Sequence, residues 1–232
     1  MKRLSFLAAA VAVAAMFATS CIDTGHILYS ETVIGDLRGG QFITDAGLTY
    51  TFTEQACEGR IDTLSRIIAV CDVLEKTSET TYNARLRDFA PVAVQSPKLK
   101  SMSSDEELGT DAINLAQGWF SSDYLNVFYN ISMVPNSHTS HTIDLAFDDV
   151  RSNSDTLYFE LRHNGFGEVY DNPEYTGKTS LASGYISFPI SQFVTGSKNM
   201  PVVLTWDWYV QSGESLLTEK EHHRESAVYI KQ

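Results

Sequence analysis

The chain has 232 residues, 29 acidic against 17 basic side chains, and apolar and aromatic contents of 43% and 11%. A net charge of −12 repels polyanions, and no Lys/Arg cluster offers the contacts that phosphate-backbone binding needs, so nucleic acid is excluded as a partner class. The apolar content is ample for packed cores and excludes global disorder.

Lys2 and Arg3 precede the uncharged apolar run Leu4 to Phe17, and small residues then lead to Cys21. This is the pattern of a cleaved secretory signal. The run falls short of the ~20 residues a membrane-spanning helix needs. Phe17-Ala18-Thr19-Ser20-Cys21 resembles a bacterial lipobox, with Phe17 where leucine is commonest. The resemblance implies diacylglyceryl transfer to the Cys21 sulfur, cleavage before Cys21 and acylation of its new amino group. One acyl chain anchors a protein only marginally, whereas two or more hold it stably. The alternative is a soluble secreted protein in which Cys21 is incidental. Without residues 1–20 the chain keeps 15 basic and 29 acidic residues, a charge of −14. Ile22 does not look like an inner-membrane retention signal, so the outer membrane is the expected destination, on either its periplasmic or its surface face.

Residues 21–30 read as a lipidated tether. Leu48, Tyr50 and Phe52 alternate with threonines, the mark of a half-buried strand, and Asp45-Ala46-Gly47 before them signals a tight turn. Arg38 to Ile43 is then the partner arm of a hairpin, with a bulge or bend at Gly39-Gly40. The apolar run Ile67 to Leu74 reads as a strand buried on both faces, and Tyr82 to Arg87 alternates again. Strands at this density, with bends and no convincing helix, predict a small OB-type β-barrel over residues 31–95. Residues 96–110 are polar and hold Pro97, so they read as a linker. Seven alternating stretches follow, from Ile113 to Ile230, without helical periodicity. They predict a β-sandwich over 111–232. The fold class is therefore all-β, a small barrel followed by a sandwich.

Few residues point to chemistry. With Cys21 lipidated, Cys57 and Cys71 are the remaining cysteines. An exported location permits a disulfide between them, and two buried free thiols would give the same count. Arg85 and Arg87 form a basic face that could bind an anionic ligand, or an ordinary solvated strand. His163 continues the inward face of Leu157, Phe159 and Leu161. It is either a structural histidine beside the Gly165 turn or a base oriented by Glu168 or Asp144, the centre of a secreted hydrolase. No nucleophile or oxyanion-hole pattern accompanies it. Trp206 and Trp208 share a strand face with Val202, Leu204 and Val210, which favours core packing over a sugar-stacking platform. Glu221-His222-His223-Arg224-Glu225 lacks the His-Glu-x-x-His order of a zinc helix and reads as a solvated loop. Asp148, Asp149, Asn153 and Asp155 match no calcium loop. No metal and no cofactor are expected.

Gly39-Gly40-Gln41-Phe42, Asp45 to Phe52, Ala69 to Lys76 and Tyr82 to Leu86 together resemble the NigD-like lipoprotein family, exported lipoproteins of gut and oral anaerobes. The likeness continues in Ser122 to Val127, Leu161 to Glu168 and Thr205 to Tyr209. The resemblance implies an N-terminal OB domain and a C-terminal β-sandwich. It brings no activity and no catalytic residues, and its bacteriocin-associated name hints at antagonism or immunity only by association. The expected role is a non-catalytic binding module on the outer membrane, with a glycan or another envelope protein as its partner.

Overall fold

A computed structural model of the chain describes residues 27–195, 199–212 and 215–230. The expected signal peptide and Cys21 lie outside these residues. Two compact units meet between Ala93 and Val94.

The first unit is a closed five-stranded barrel. Its strands are β1 (Tyr29–Arg38), β2 (Gln41–Thr44), β3 (Thr49–Gln55), β4 (Arg66–Lys76) and β5 (Thr81–Val94). β1 pairs antiparallel with β2 and β4, β2 with β3, and β4 with β5. A parallel β3–β5 pairing closes the circuit, giving the order β1-β2-β3-β5-β4-β1 of an OB-type barrel. Tyr29 and Ser30 already belong to β1, so the expected tether is shorter than 21–30.

Gly39 and Gly40 are the β1–β2 turn rather than a bulge within one arm. Both have positive φ (59° and 80°), as a two-residue hairpin turn matching strand twist requires. The apolar burial of β4 lies on one face: Ile67, Ala69, Cys71 and Val73 are fully inside, while on the other Ile68, Val70 and Leu74 are half-buried alongside the buried polar residues Arg66 and Asp72. Inside the barrel Phe42 stacks on Phe52, and Tyr50 on Tyr82, with ring centroids 5.5 and 5.3 Å apart. Arg66 is fully buried. Its Nη1 donates to Asp36 at 2.8 Å and its fork to both Asp45 oxygens at 2.9 and 2.6 Å, which neutralises a charge that burial would otherwise make costly.

The second unit is a β-sandwich. One sheet holds β7 (Ile113–Ser121), β8 (Tyr124–Met133) and β11 (Ser180–Pro189), with β8 central. The other holds β6 (Lys98–Leu99), β9 (Thr142–Phe147), β10 (Leu157–Asn164), β12 (Met200–Ser212) and β13 (Ser215–Tyr229), in the order β13-β12-β10-β9-β6. Leu125, Val127, Ile186 and Phe188 from the first sheet face Leu145, Phe159, Leu161 and Leu204 from the second in one continuous core.

Three expectations change here. Residues 96–110 are not a free linker: Lys98 and Leu99 pair in parallel with Ala146 and Phe147, and the turn α1 (Asp105–Leu108) buries Leu108. Ser104 caps that turn by accepting from the Glu107 N–H at 3.1 Å. Residues 221–225 lie within β13, whose partner β12 was visible only as apolar alternation. Tyr209, which the alternation of Trp206 and Trp208 puts on the opposite face of β12, is nevertheless 1% exposed because the Tyr170 ring covers it and Asp171 accepts from its hydroxyl at 3.0 Å.

Candidate functional site

Strict alternation along β10 places His163 inward at 0% exposure, on the same face as Leu157, Phe159 and Leu161. Its Nδ1 lies 2.9 Å from the Ala112 carbonyl and its Nε2 lies 3.0 Å from His141 Nδ1. A carbonyl only accepts, so His163 carries its proton on Nδ1 and accepts through Nε2 from the His141 Nδ1–H. Burial holds the His163 pKa down at about 4, against an ordinary 6.5, so the ring is neutral at pH 7. His141 is lowered as well, by burial, with Glu168 and Asp111 pulling the other way.

Glu168 belongs to the loop after β10 and stands by His141 rather than His163. Hydrogen bonds from Ser137 and Thr139 hold its carboxyl below the usual range, the Thr139 hydroxyl donating at 2.6 Å. The loop is tightly built. A Cβ on Gly165 would stand 2.6 Å from the Val169 side chain and 3.1 Å from the His141 ring, and the Gly165 N–H donates to Asp111 at 2.8 Å. Asp144, the other expected orienter, is occupied by Lys98 at 3.2 Å and by Gln95. Both ring nitrogens are committed, and no hydroxyl or thiol among the described residues bonds to them. The His163–His141 pair instead ties β10 to the segments on either side of it.

The basic face of the barrel is neutralised. Arg85 Nε donates to Glu54 at 2.5 Å, and Asp72, 3% exposed in its side chain, lies 3.5 Å from Arg87 and 4.0 Å from Arg85. Arg85 and Arg87 do share a face, as alternation requires; a bulge at Arg87 shifts strand parity only beyond it, since Cys71 pairs with Leu86 and Val70 with Asp88. Of the two alternatives for Cys57 and Cys71, the structure has the free thiols and no bridge. Both thiols are free, Cys71 buried on β4 and Cys57 half-buried in the β3–β4 loop against the barrel core. Burial raises the Cys71 pKa to about 12.

Trp206 and Trp208 are core residues, 7% and 8% exposed, as their shared face required. His222 and His223 point apart along β13, His222 to Asp207 at 2.7 Å and His223 flat on the Trp206 ring. Asp148, Asp149 and Asn153 close turns: Asp148 accepts from the Arg151 N–H, Asn153 from Asp155 and Thr156, and Asp149 from Ser101. Among the described residues, no three His, Cys, Asp or Glu side chains converge on a metal position. His141 and the Ala112 carbonyl escaped sequence reading, because a histidine in the polar Ser137-His138-Thr139-Ser140-His141 stretch carries no periodic signal.

Comparisons with known proteins match this architecture. No curated protein sequence matches the chain. A NigD-like immunity protein from Bacteroides caccae has a solved structure with a TM-score of 0.60 at 14% identity, covering 86% of this chain and 96% of that one. A candidate lipoprotein from Bacteroides fragilis gives 0.59 at 14% identity, covering 88% and 99%. A candidate toxin-related protein from Parabacteroides distasonis gives 0.57 at 16%, covering 86% and 93%. At such identities the likeness is one of fold. The NigD-like C-terminal β-sandwich domain matches residues 95–217, which takes in α1, β10 with His163 and most of both sheets, and the chain belongs to the NigD-like family.

Proposed function

We propose that this chain is a lipid-anchored interaction protein of the bacterial cell envelope that holds a partner and carries out no chemistry of its own. The observation that carries the reading is the fate of His163, the one residue that sequence reasoning could place at a hydrolytic centre. It is sealed at 0% exposure between Ala112 and His141. Arg85 and Arg87 are likewise neutralised by Glu54 and Asp72, which favours recognition of an uncharged or mixed surface over an anion.

Fold relatives described as a NigD-like immunity protein and a candidate toxin-related protein favour a toxin-and-immunity setting, in which one protein occupies another without transforming it. A fold relative described as a candidate lipoprotein supports the anchoring read at Cys21, and the outer membrane is the proposed location. Fold by itself does not assign a role, since both architectures host many functions. The partner is a glycan or another envelope protein.

Two measurements test the reading. The wild-type chain incorporates labelled fatty acid and partitions into detergent, and Cys21→Ser does neither. Full-length chain in detergent captures the same envelope component whether His163 is present or replaced by alanine. Turnover of a captured component, lost in His163→Ala, would replace the binding module by an enzyme.

A further inference from the structure

At one end of the barrel, the β1–β2 turn, the end of β3 and the β3–β4 loop enclose a concave site of about 500 Å³. That lies in the range of small-molecule sites, about 300–1,000 Å³. Its floor is apolar, formed by Leu37, Phe52, Ile61 and Leu64, all half-buried against the barrel core. The Phe52 ring is held flat by its stack on Phe42. One wall is the backbone of Gly39 and Gly40, where no Cβ narrows the entrance and nothing lies within 4 Å of where one would stand.

The rim is polar: Glu54 and Gln55 are held by bonds to Arg85 and to loop carbonyls, and Asp62 forms an exposed pair with Arg60. Thr53 is the extra residue of a bulge in β3, which pairs Phe52 with Ala84 but turns Glu54 to Arg85. Arg85 Nε holds Glu54 Oε2, leaving Oε1 without a hydrogen-bond partner among the described residues. The Gln55 amide donates to the carbonyls of Cys57 and Gly59 at 3.0 and 2.7 Å, and its own carbonyl oxygen has no hydrogen-bond donor among the described residues. Arg60 grips both Asp62 oxygens at 3.0 and 2.5 Å, and each oxygen keeps a spare lone pair.

These features select a ligand class. Both rim carboxylates are already neutralised by arginines, so a cation gains little and an anion finds no free positive charge. What remains is a set of fixed acceptors above an aromatic face, suited to a ring with hydroxyl donors on its edge and C–H groups on its face. We propose that this site binds a neutral saccharide, with a sugar ring laid on Phe52 and its hydroxyls donating to Glu54, Gln55 and Asp62. Arg85 is then a positioning residue acting through Glu54. The inference rests on the interaction-protein reading and names its partner class.

The experiment uses full-length chain in detergent on an array of neutral, sialylated and sulfated oligosaccharides, followed by calorimetry with the best neutral binder. Glu54→Gln keeps size and fold while removing the charged acceptor, and its affinity falls about tenfold at an unchanged melting temperature. Phe52→Leu keeps an apolar floor without a stacking face and also weakens binding. Arg85→Met lowers affinity through Glu54. No binding to any neutral saccharide, preference for the charged sugars, or binding indifferent to Glu54→Gln and Phe52→Leu overturns the proposal. If saccharides fail while capture of an envelope protein persists, the broader interaction reading stands and only this site falls.

Discussion

Replacing His163 by leucine removes the side chain that satisfies both the Ala112 carbonyl and the His141 Nδ1–H. Each orphaned group in that dry setting costs about 1–3 kcal/mol, so the variant loses about 2–4 kcal/mol at pH 7 after partial relaxation. The pH dependence is the sharper test. The His163 pKa is about 4 in the folded chain against 6.5 when unfolded, so between these values the unfolded chain binds a proton that the native state refuses. Stability is therefore full above pH 6.5 and lost as pH falls towards 4, a total of about 3 kcal/mol from this residue.

Leucine does not titrate. The gap between wild type and His163→Leu should close from about 2–4 kcal/mol at pH 7 to within about 1 kcal/mol at pH 4.5. Taking the difference cancels the carboxylates that titrate in both proteins. Urea unfolding followed by tryptophan fluorescence reads it cleanly, because Trp119, Trp206 and Trp208 all lie in the sandwich unit. At m-values of about 1–3 kcal/mol/M the midpoint shift at pH 7 is on the order of 1–2 M. A gap that stays constant across this pH range, or one below about 1 kcal/mol at pH 7, refutes the buried neutral bridge.

Peptide mapping without reductant should find Cys57 and Cys71 both alkylated after unfolding, and in the native protein Cys57 should react well before Cys71; a linked 57–71 peptide would contradict the free thiols. Arg66→Met leaves Asp36 and Asp45 without their buried guanidinium and should destabilise the barrel by about 3–5 kcal/mol, measured by tyrosine fluorescence or far-UV circular dichroism. A change under about 1 kcal/mol would mean that water reaches the pair. Gly35→Ala drives a methyl into the Ile43 carbonyl of the paired strand and should cost about 1–3 kcal/mol, whereas Gly177→Ala, with open space around it, costs only backbone strain.

The alternating stretches disclosed much of the architecture. Leu157, Phe159, Leu161 and His163 declared their common inward face, and Trp206 and Trp208 declared theirs, because period-two patterning is a local property of a strand with one wet and one dry side. The expected export signal is likewise a local reading, a matter of composition over a score of residues that lie outside the described ones. What escaped was what each polar group would meet. His141 is 22 residues from His163, Arg66 is 30 from Asp36, and Glu54 is 31 from Arg85, and no spacing along the chain announces such pairs. Arg85 and Arg87 share a face as their alternation implied, but the strands beside β5 bring Glu54 and Asp72 against them, so a basic face became a set of neutralised pairs. The Glu221–Glu225 part of β13 reads as a loop because it has no apolar rhythm; the backbone ladder to β12 makes it strand. Side-chain burial is written residue by residue, whereas charge neutralisation and edge pairing depend on which distant strand the closed topology brings alongside.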